Sequence, residues 1–149
     1  GMGPPLPALA LARDDGGFTI AHIGDSRAYL FRRGELSQLT ADHTWVQQQV
    51  NAGLLTPLEA RSHPFSSMLT RALGIVVNPQ VDIIRGELEP GDLILLCSDG
   101  LTGMVDDDEL AAILASDLPL DDTARELTDA ANRHGGADNI TAILIQATA

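Results

Sequence analysis

The sequence predicts an α+β domain with antiparallel strands, on three observations. Short segments rich in Ile, Leu, Val, Phe or Tyr recur along the chain and end in glycine, proline or aspartate turns, the signature of strands. Leu93–Cys97 is apolar throughout, as in strands covered on both faces, and residues 140–145 read as a second buried strand. Between these two stand segments whose apolar residues recur at helical spacing. With 149 residues and no repeat, low-complexity tract or linker, the whole chain, 1–149, reads as a single domain with one core.

Residues 6–12 alternate leucine with alanine after a proline pair, which predicts a strand at an edge or a beginning, and residues 14–17 form a turn. Strands follow over 18–23 and 28–33, separated by Gly24-Asp25-Ser26-Arg27, and Gly34 then reverses the chain. The spacing of Trp45, Val46, Gln49 and Val50 predicts a short helix that Gly53 ends. Thr56, Pro57 and Glu59 supply a cap, a proline at the first helical position and a glutamate three residues after the cap, so a second short helix starts there. Residues 81–88 and Leu93–Cys97 are strands around the turn Pro90-Gly91, the second of them central. Asp106 and Glu109 repeat the cap-and-glutamate spacing before Leu110, Ile113 and Leu114, which starts a helix near Asp107. Another helix runs over about 121–133 along the stripe Ala124, Leu127, Ala131 and is stopped by Gly135-Gly136. Residues 140–145 close the chain as a second buried strand.

Composition narrows the partners. With 21 acidic against 9 basic residues the net charge is -12, and there is one Trp and one Tyr. Attraction to a phosphate backbone or an anionic membrane is therefore not expected, nor is base stacking, and cations are the favoured small partners. No apolar run reaches the ~20 residues of a membrane helix, and no signal peptide is apparent, so the expected location is cytoplasmic. Cys97 is the single cysteine and sits in an apolar run, which excludes an internal disulfide framework and reads as an inert core thiol.

Three aspartates stand where an apolar strand meets a tight loop: Asp25 after 18–23, Asp99 after Leu93–Cys97, and Asp138 before 140–145. If the last two strands are antiparallel neighbours, Asp99 and Asp138 converge, and converging carboxylates repel unless a cation or proton lies between them. Carboxylate oxygen is a hard ligand suited to Mg²⁺ or Mn²⁺. Taken singly, each site has a plain turn explanation. Asp99-Gly100 is a common turn pair, Asp138-Asn139 suits an Asx-turn, and Gly24-Asp25-Ser26-Arg27 fits a hairpin loop. The four histidines, His22, His43, His63 and His134, read as structural beside oxygen ligands of this kind.

Six blocks occur in order. They are Gly24-Asp25-Ser26-Arg27-Ala28-Tyr29, Leu39-Thr40-Ala41-Asp42-His43, Leu69-Thr70-Arg71-Ala72-Leu73-Gly74, Pro90-Gly91-Asp92, Leu95-Leu96-Cys97-Ser98-Asp99-Gly100-Leu101 and Gly135-Gly136-Ala137-Asp138-Asn139-Ile140-Thr141. Over residues 5–147 this set resembles the bacterial protein phosphatase 2C enzymes, the PPM family. The resemblance implies an α/β/β/α sandwich of two antiparallel sheets between helical layers, with two or three Mg²⁺ or Mn²⁺ ions at one end. It matches Asp99 and Asp138 to the C-terminal ligands of the catalytic metal pair, and Asp25 with Asp99 to the third site. The implied reaction is attack of a metal-activated water on a phosphoserine or phosphothreonine protein, with no side-chain nucleophile. Residues 46–78 correspond to the flap at the site edge.

Complete members of that family begin with strands carrying an acidic metal ligand and a phosphate-binding arginine, followed by an Asp-Gly-Met-Gly-Gly loop and two long helices. None of these is found here, so the expectation is a partial phosphatase domain lacking those N-terminal strands and the two helices. Three readings follow: an incomplete form of the enzyme, weakly active or inactive; a non-catalytic pseudophosphatase module that binds a phosphoprotein or partner; and a domain that holds a divalent ion for stability. Loss of the covering elements further predicts a homodimer through an uncovered sheet face, with Leu93–Cys97 or 140–145 exposed.

Overall fold

The computed structural model describes residues 8–14, 17–24, 26–41, 49–62, 81–136 and 140–148. Seven strands are described, β1 (Ala8–Asp14), β2 (Gly17–Ile23), β3 (Arg27–Arg32), β4 (Glu35–Gln38), β5 (Asp82–Glu87), β6 (Leu93–Cys97) and β7 (Ala142–Gln146). The helices are α1 (Pro57–Ser62), α2 (Asp99–Thr102), α3 (Asp107–Leu114) and α4 (Leu120–Arg133). The strands form two antiparallel sheets, β1-β2-β5 and β4-β3-β6-β7. Among the described residues the predicted first strand is an edge strand, and Leu93–Cys97 is central as expected.

Alternation along the strands separates two cores. Phe18 and Ile20 of β2, Ala28 of β3 and Ile94 of β6 are buried together, with Leu30, Ile84, Leu96 and Ile145 packed against them, so the two sheets meet face to face. On the opposite face of the four-stranded sheet, Tyr29, Leu95 and Cys97 pack with Leu101, Val105, Leu110, Leu114, Leu127, Ala130 and Ala131 of the helical segments. The layer order among the described residues is sheet, sheet, helix. Cys97 is buried in this second core as a thiol outside any disulfide, as its setting predicts.

The helix signals hold in detail. Gly53 (φ +78°) donates to Val50 O and Leu54 N to Gln49 O, the paired bonds of a Schellman ending, while Trp45 and Val46 lie outside the described residues. Thr56 N donates to Glu59 Oε1 at 3.0 Å and Glu59 N to Thr56 Oγ1 at 3.2 Å, a reciprocal capping box at the start of α1. Asp106 caps α3 through Glu109 N at 2.9 Å. α4 ends at Gly135 (φ +119°) and buries Thr123, Leu127, Ala130 and Ala131.

The structure differs from the sequence reading at five points. β2 and β3 do not form a hairpin; the Gly24–Arg27 connection carries the chain from one sheet to the other. β4 has no strand signal, because its only apolar residue, Leu36, packs beneath a polar edge. Asp99-Gly100 opens α2 and is not a turn pair, because the carbonyl of Ser98 accepts from Leu101 N and that of Asp99 from Gly103 N. β7 is not buried on both faces: it is the outermost strand of its sheet among the described residues, and Ile143 is 51% exposed. β6 for its part is covered on both sides, so it offers no apolar face to a second copy; the exposed apolar residues Val81 and Ile83 belong to the other sheet region. Among the described residues no helix is long and apolar enough to cross a membrane.

The end of the sheets near Arg32 is locked by charge and turn geometry. Glu89-Pro90-Gly91-Asp92 is a type II turn, with Gly91 at φ +91° and Asp92 N donating to Glu89 O. The buried Asp92 carboxylate accepts from Arg32 Nε (3.0 Å) and Nη2 (2.6 Å) and from Glu89 N (2.7 Å). Arg32 Nη2 also reaches Glu87 O, and residue 147 pairs with both Gly91 and Asp92. The fork from Arg32 holds the Asp92 carboxyl below its ordinary value of 3.8. A depressed folded-state pKa stabilises the fold above the unfolded value, and that contribution is lost as pH falls through the folded value. Asp92→Ala is expected to lower the thermal midpoint at neutral pH by roughly 5 °C, with the gap from the parent closing below pH ~4; a gap independent of pH in scanning calorimetry would contradict the ion-pair assignment.

Gly86 lies opposite Phe18, and a Cβ built there meets the Phe18 ring at 2.5 Å. Because that ring is buried between the sheets it has no free rotamer to retreat to. Gly86→Ala should cost about 1–3 kcal/mol in urea unfolding, and a neutral result would show that the ring repacks.

Candidate metal centre

The antiparallel register brings three strand ends to one pole. Arg27 at the start of β3 lies opposite Cys97 at the end of β6, and Cys97 lies opposite Ala142 at the start of β7. Asp99 follows Cys97 by two residues, Asp25 precedes Arg27 by two, and Asp138 precedes Ala142 by four. The pairing of β6 with β7, on which convergence of Asp99 and Asp138 depends, is therefore present. Asp25 and Asp138 themselves lie outside the described residues, as do His43, His63 and the block 69–74.

Ser98 extends the β6–β7 pairing by one step. Its N–H donates to Thr141 O at 3.1 Å and its Oγ accepts from Thr141 N at 3.0 Å. The side chain is thereby used for the neighbouring strand and makes no cap bond to α2. Asp99 is the first residue of α2, half-buried, and its carbonyl accepts from Gly103 N at 2.8 Å. Beneath it Gly100, Leu101 and Thr102 are buried, so Asp99 stands on a packed base with its position fixed from two sides.

The loop after β4 closes on the same pole. Leu39 N donates to Ala28 O at 2.8 Å, and Thr40 Oγ1, buried, accepts from Ala28 N at 3.1 Å. The Leu39-Thr40 block thus serves the scaffold, satisfying the backbone of β3 next to Arg27. Gly24 at φ +104° makes the exit from β2 that a side chain would disfavour.

Among the described residues no three His, Cys, Asp or Glu side chains converge on one position. His22 is buried within β2, and His134 at the C-cap of α4 contacts Glu109 through Nε2 at 2.8 Å, so both have structural settings. A recess at the opposite pole is lined by Phe31, Leu93, Leu114, Thr123 and Gln146, far along the strands from Asp99. Sequence reasoning missed Tyr29 and Asp107, whose contact joins positions 78 residues apart: the Tyr29 hydroxyl donates to Asp107 Oδ1 at 2.9 Å. A tyrosine in an apolar strand carries no sign of such a partner.

The family model described as Stage II sporulation protein E (SpoIIE) matches residues 11–148. Protein phosphatase PhpP of Streptococcus pneumoniae is 45% identical over 145 residues, covering 97% of this chain and 58% of that protein. The crystal structure of the Mycobacterium tuberculosis serine/threonine phosphatase PstP/Ppp is similar at a TM-score of 0.91 and 37% identity, over 97% of this chain and 61% of that one. A structure of the catalytic domain of PstP in complex with two manganese ions is similar at 0.82 and 37% identity, over 96% of this chain and 59% of that one. The chain thus spans 58% of the length of a curated relative it matches along nearly all of its own. Matching family blocks, two antiparallel sheets in register and a helical layer agree on one conclusion: the chain belongs to the SpoIIE/protein phosphatase 2C (PPM) family, of bacterial type.

Proposed function

We propose that this domain carries part of a divalent-metal centre that dephosphorylates phosphoserine and phosphothreonine proteins, with Asp25, Asp99 and Asp138 as carboxylate ligands of Mg²⁺ or Mn²⁺. The observation that carries this reading is the register of Arg27, Cys97 and Ala142, which gathers the chain segments leading to all three aspartates at one pole. The one described ligand candidate, Asp99, offers hard carboxylate oxygen, the donor type these ions take. When bound, a pair of such ions lowers the pKa of a water and offsets charge on the phosphoryl oxygens.

The chain's own residues supply position. The Ser98–Thr141 clasp sets the spacing between the ends of β6 and β7, and the buried base of α2 holds Asp99. Cys97 is buried against the helices, which supports a route with no thiol nucleophile. Within the single partial domain, residues 46–78 correspond to the family's flap segment; the described part, 49–62, contains the Gly53 ending and α1, and its exposed Leu54 and Leu58 would be available to a protein substrate. The absence of a membrane-length helix among the described residues and the lone buried thiol fit a cytoplasmic setting.

Titration of the 149-residue chain with Mn²⁺ tests the site. Binding should weaken by more than about tenfold in the Asp99→Asn, Asp138→Asn double variant; unchanged affinity would reject the assignment. Mn²⁺-dependent hydrolysis of an aryl phosphate should be far slower than by a full-length relative, because much of the relatives' length has no counterpart in these residues. A second reading, a pseudophosphatase module that binds a phosphoprotein, would be selected by phosphopeptide binding with no metal-dependent turnover.

Self-association is part of the proposal. The face of the β1-β2-β5 sheet opposite the core carries Ala21 and Ile83, with Ile83 51% exposed and Val81 beside it 48% exposed. Pairing of two such faces would hide apolar surface that monomers seldom leave open. Light scattering after size exclusion at moderate salt should give twice the 15.7 kDa chain mass, and a monomer across micromolar concentrations would exclude the dimer.

A further inference from the structure

We infer that Tyr29 and Asp107 are positioning residues: together they clamp Arg27 and so fix the start of β3 against the end of β6, from which Asp99 follows. The inference rests on the metal-centre reading for its functional meaning and on geometry for its physical content. Arg27 and Tyr29 stand two apart on β3 and therefore share a face, the one turned to the helical layer. Arg27 Nη1 donates to the Tyr29 hydroxyl at 2.8 Å, and that hydroxyl donates to Asp107 Oδ1 at 2.9 Å. The relay runs from the connection that carries Asp25, across the second core, to the first turn of α3.

The clamp sits where it can matter. Tyr29 is fully buried among Leu95, Cys97, Leu101 and Val105, so its ring is fixed and its hydroxyl has one direction in which to reach. Burial pushes the phenol well above its ordinary value, so the hydroxyl stays a neutral donor and acceptor. Arg27 is paired across the ladder with Cys97, two residues before Asp99, and Asp107 lies eight residues after Asp99 on the next helix. Both routes out of Asp99, back into β6 and forward through α2 to α3, thus end on the same three-residue relay. Breaking the hydroxyl link frees β3 from the helical layer at the pole that bears the ligands, while the Arg32–Asp92 lock still holds the other pole.

Tyr29→Phe removes the link and keeps the ring. Asp107→Asn keeps an acceptor oxygen and removes the charge, whereas Asp107→Ala removes both. In hydrogen exchange on the full chain, Tyr29→Phe and Asp107→Ala should speed exchange at Arg27, Ala28 and residues 98–101 by about tenfold, with rates in β5 unchanged; Asp107→Asn should exchange as the parent. In Mn²⁺ titration the first two variants should bind about tenfold more weakly and Asp107→Asn should recover affinity. Asp92→Asn, a destabilised variant of the far pole, should leave Mn²⁺ affinity as it is. Parent exchange rates at this pole in both Tyr29→Phe and Asp107→Ala, or loss in Asp107→Asn equal to that in Asp107→Ala, would overturn the clamp. Weakening by Asp92→Asn as large as by Tyr29→Phe would overturn it too, by reducing the effect to general stability. Failure of the parent to bind Mn²⁺ would count against the metal-centre reading alone, because the exchange measurement decides the clamp without metal.

Discussion

Strand β6 has no solvent face, and most of the molecule is arranged around that constraint. Ile94 looks into the space between the sheets and Leu95 into the space under the helices, each about 1% exposed. A strand in this position needs ladder partners on both edges and a packed layer on both faces, since its backbone groups and its apolar side chains have no water to turn to. β3 and β7 supply the edges, the β1-β2-β5 sheet one layer, and α2 to α4 the other. Asp99 is placed by the same requirement, because the chain leaves β6 directly into α2, which must fold back over Leu95 and Cys97.

The two poles of the four-stranded sheet are held by different means. One is closed by a type II turn, a buried carboxylate and an arginine fork, a compact set of bonds that spans 60 residues of sequence. The other is held by a serine–threonine clasp, the Thr40 bond to Ala28 and the Arg27–Tyr29–Asp107 relay. Loops are commonly mounted on a scaffold that is rigid elsewhere, and this division fits that pattern.

Much of this is legible in the residues, wherever the signal is local. The Thr56/Glu59 and Asp106 caps, the endings at Gly53 and Gly135, and the central character of Leu93–Cys97 follow from chemistry within six residues. β4 is not legible, since Glu35, Ser37 and Gln38 carry no apolar alternation and are held by pairing with β3. Nor is the crossing of the 24–27 connection between sheets, because a short polar link reads the same whether it joins strands of one sheet or two. The composition of β7 overstates its burial: its apolar run is that of an interior strand, yet it has a neighbour on one side only among the described residues. For the site, strand-end placement locates Asp99, whereas Tyr29 and Asp107 meet only through the tertiary fold.

The long reach of β3 also governs when the protein can fold. Of its two ladder partners β4 is adjacent, but β6 lies as far away as Cys97 is from Arg27, a separation of 70 residues. During synthesis β1 and β2 can pair as soon as they leave the ribosome, but β3 and the short polar β4 form a two-stranded ribbon with no covered face. At about 5–20 residues per second, the interval before β6 emerges is several seconds, during which Leu30 and Phe31 have no finished core to enter. A chain whose central strand is made late is exposed to misassembly early, and the acidic surface that repels like chains is then its main protection against aggregation.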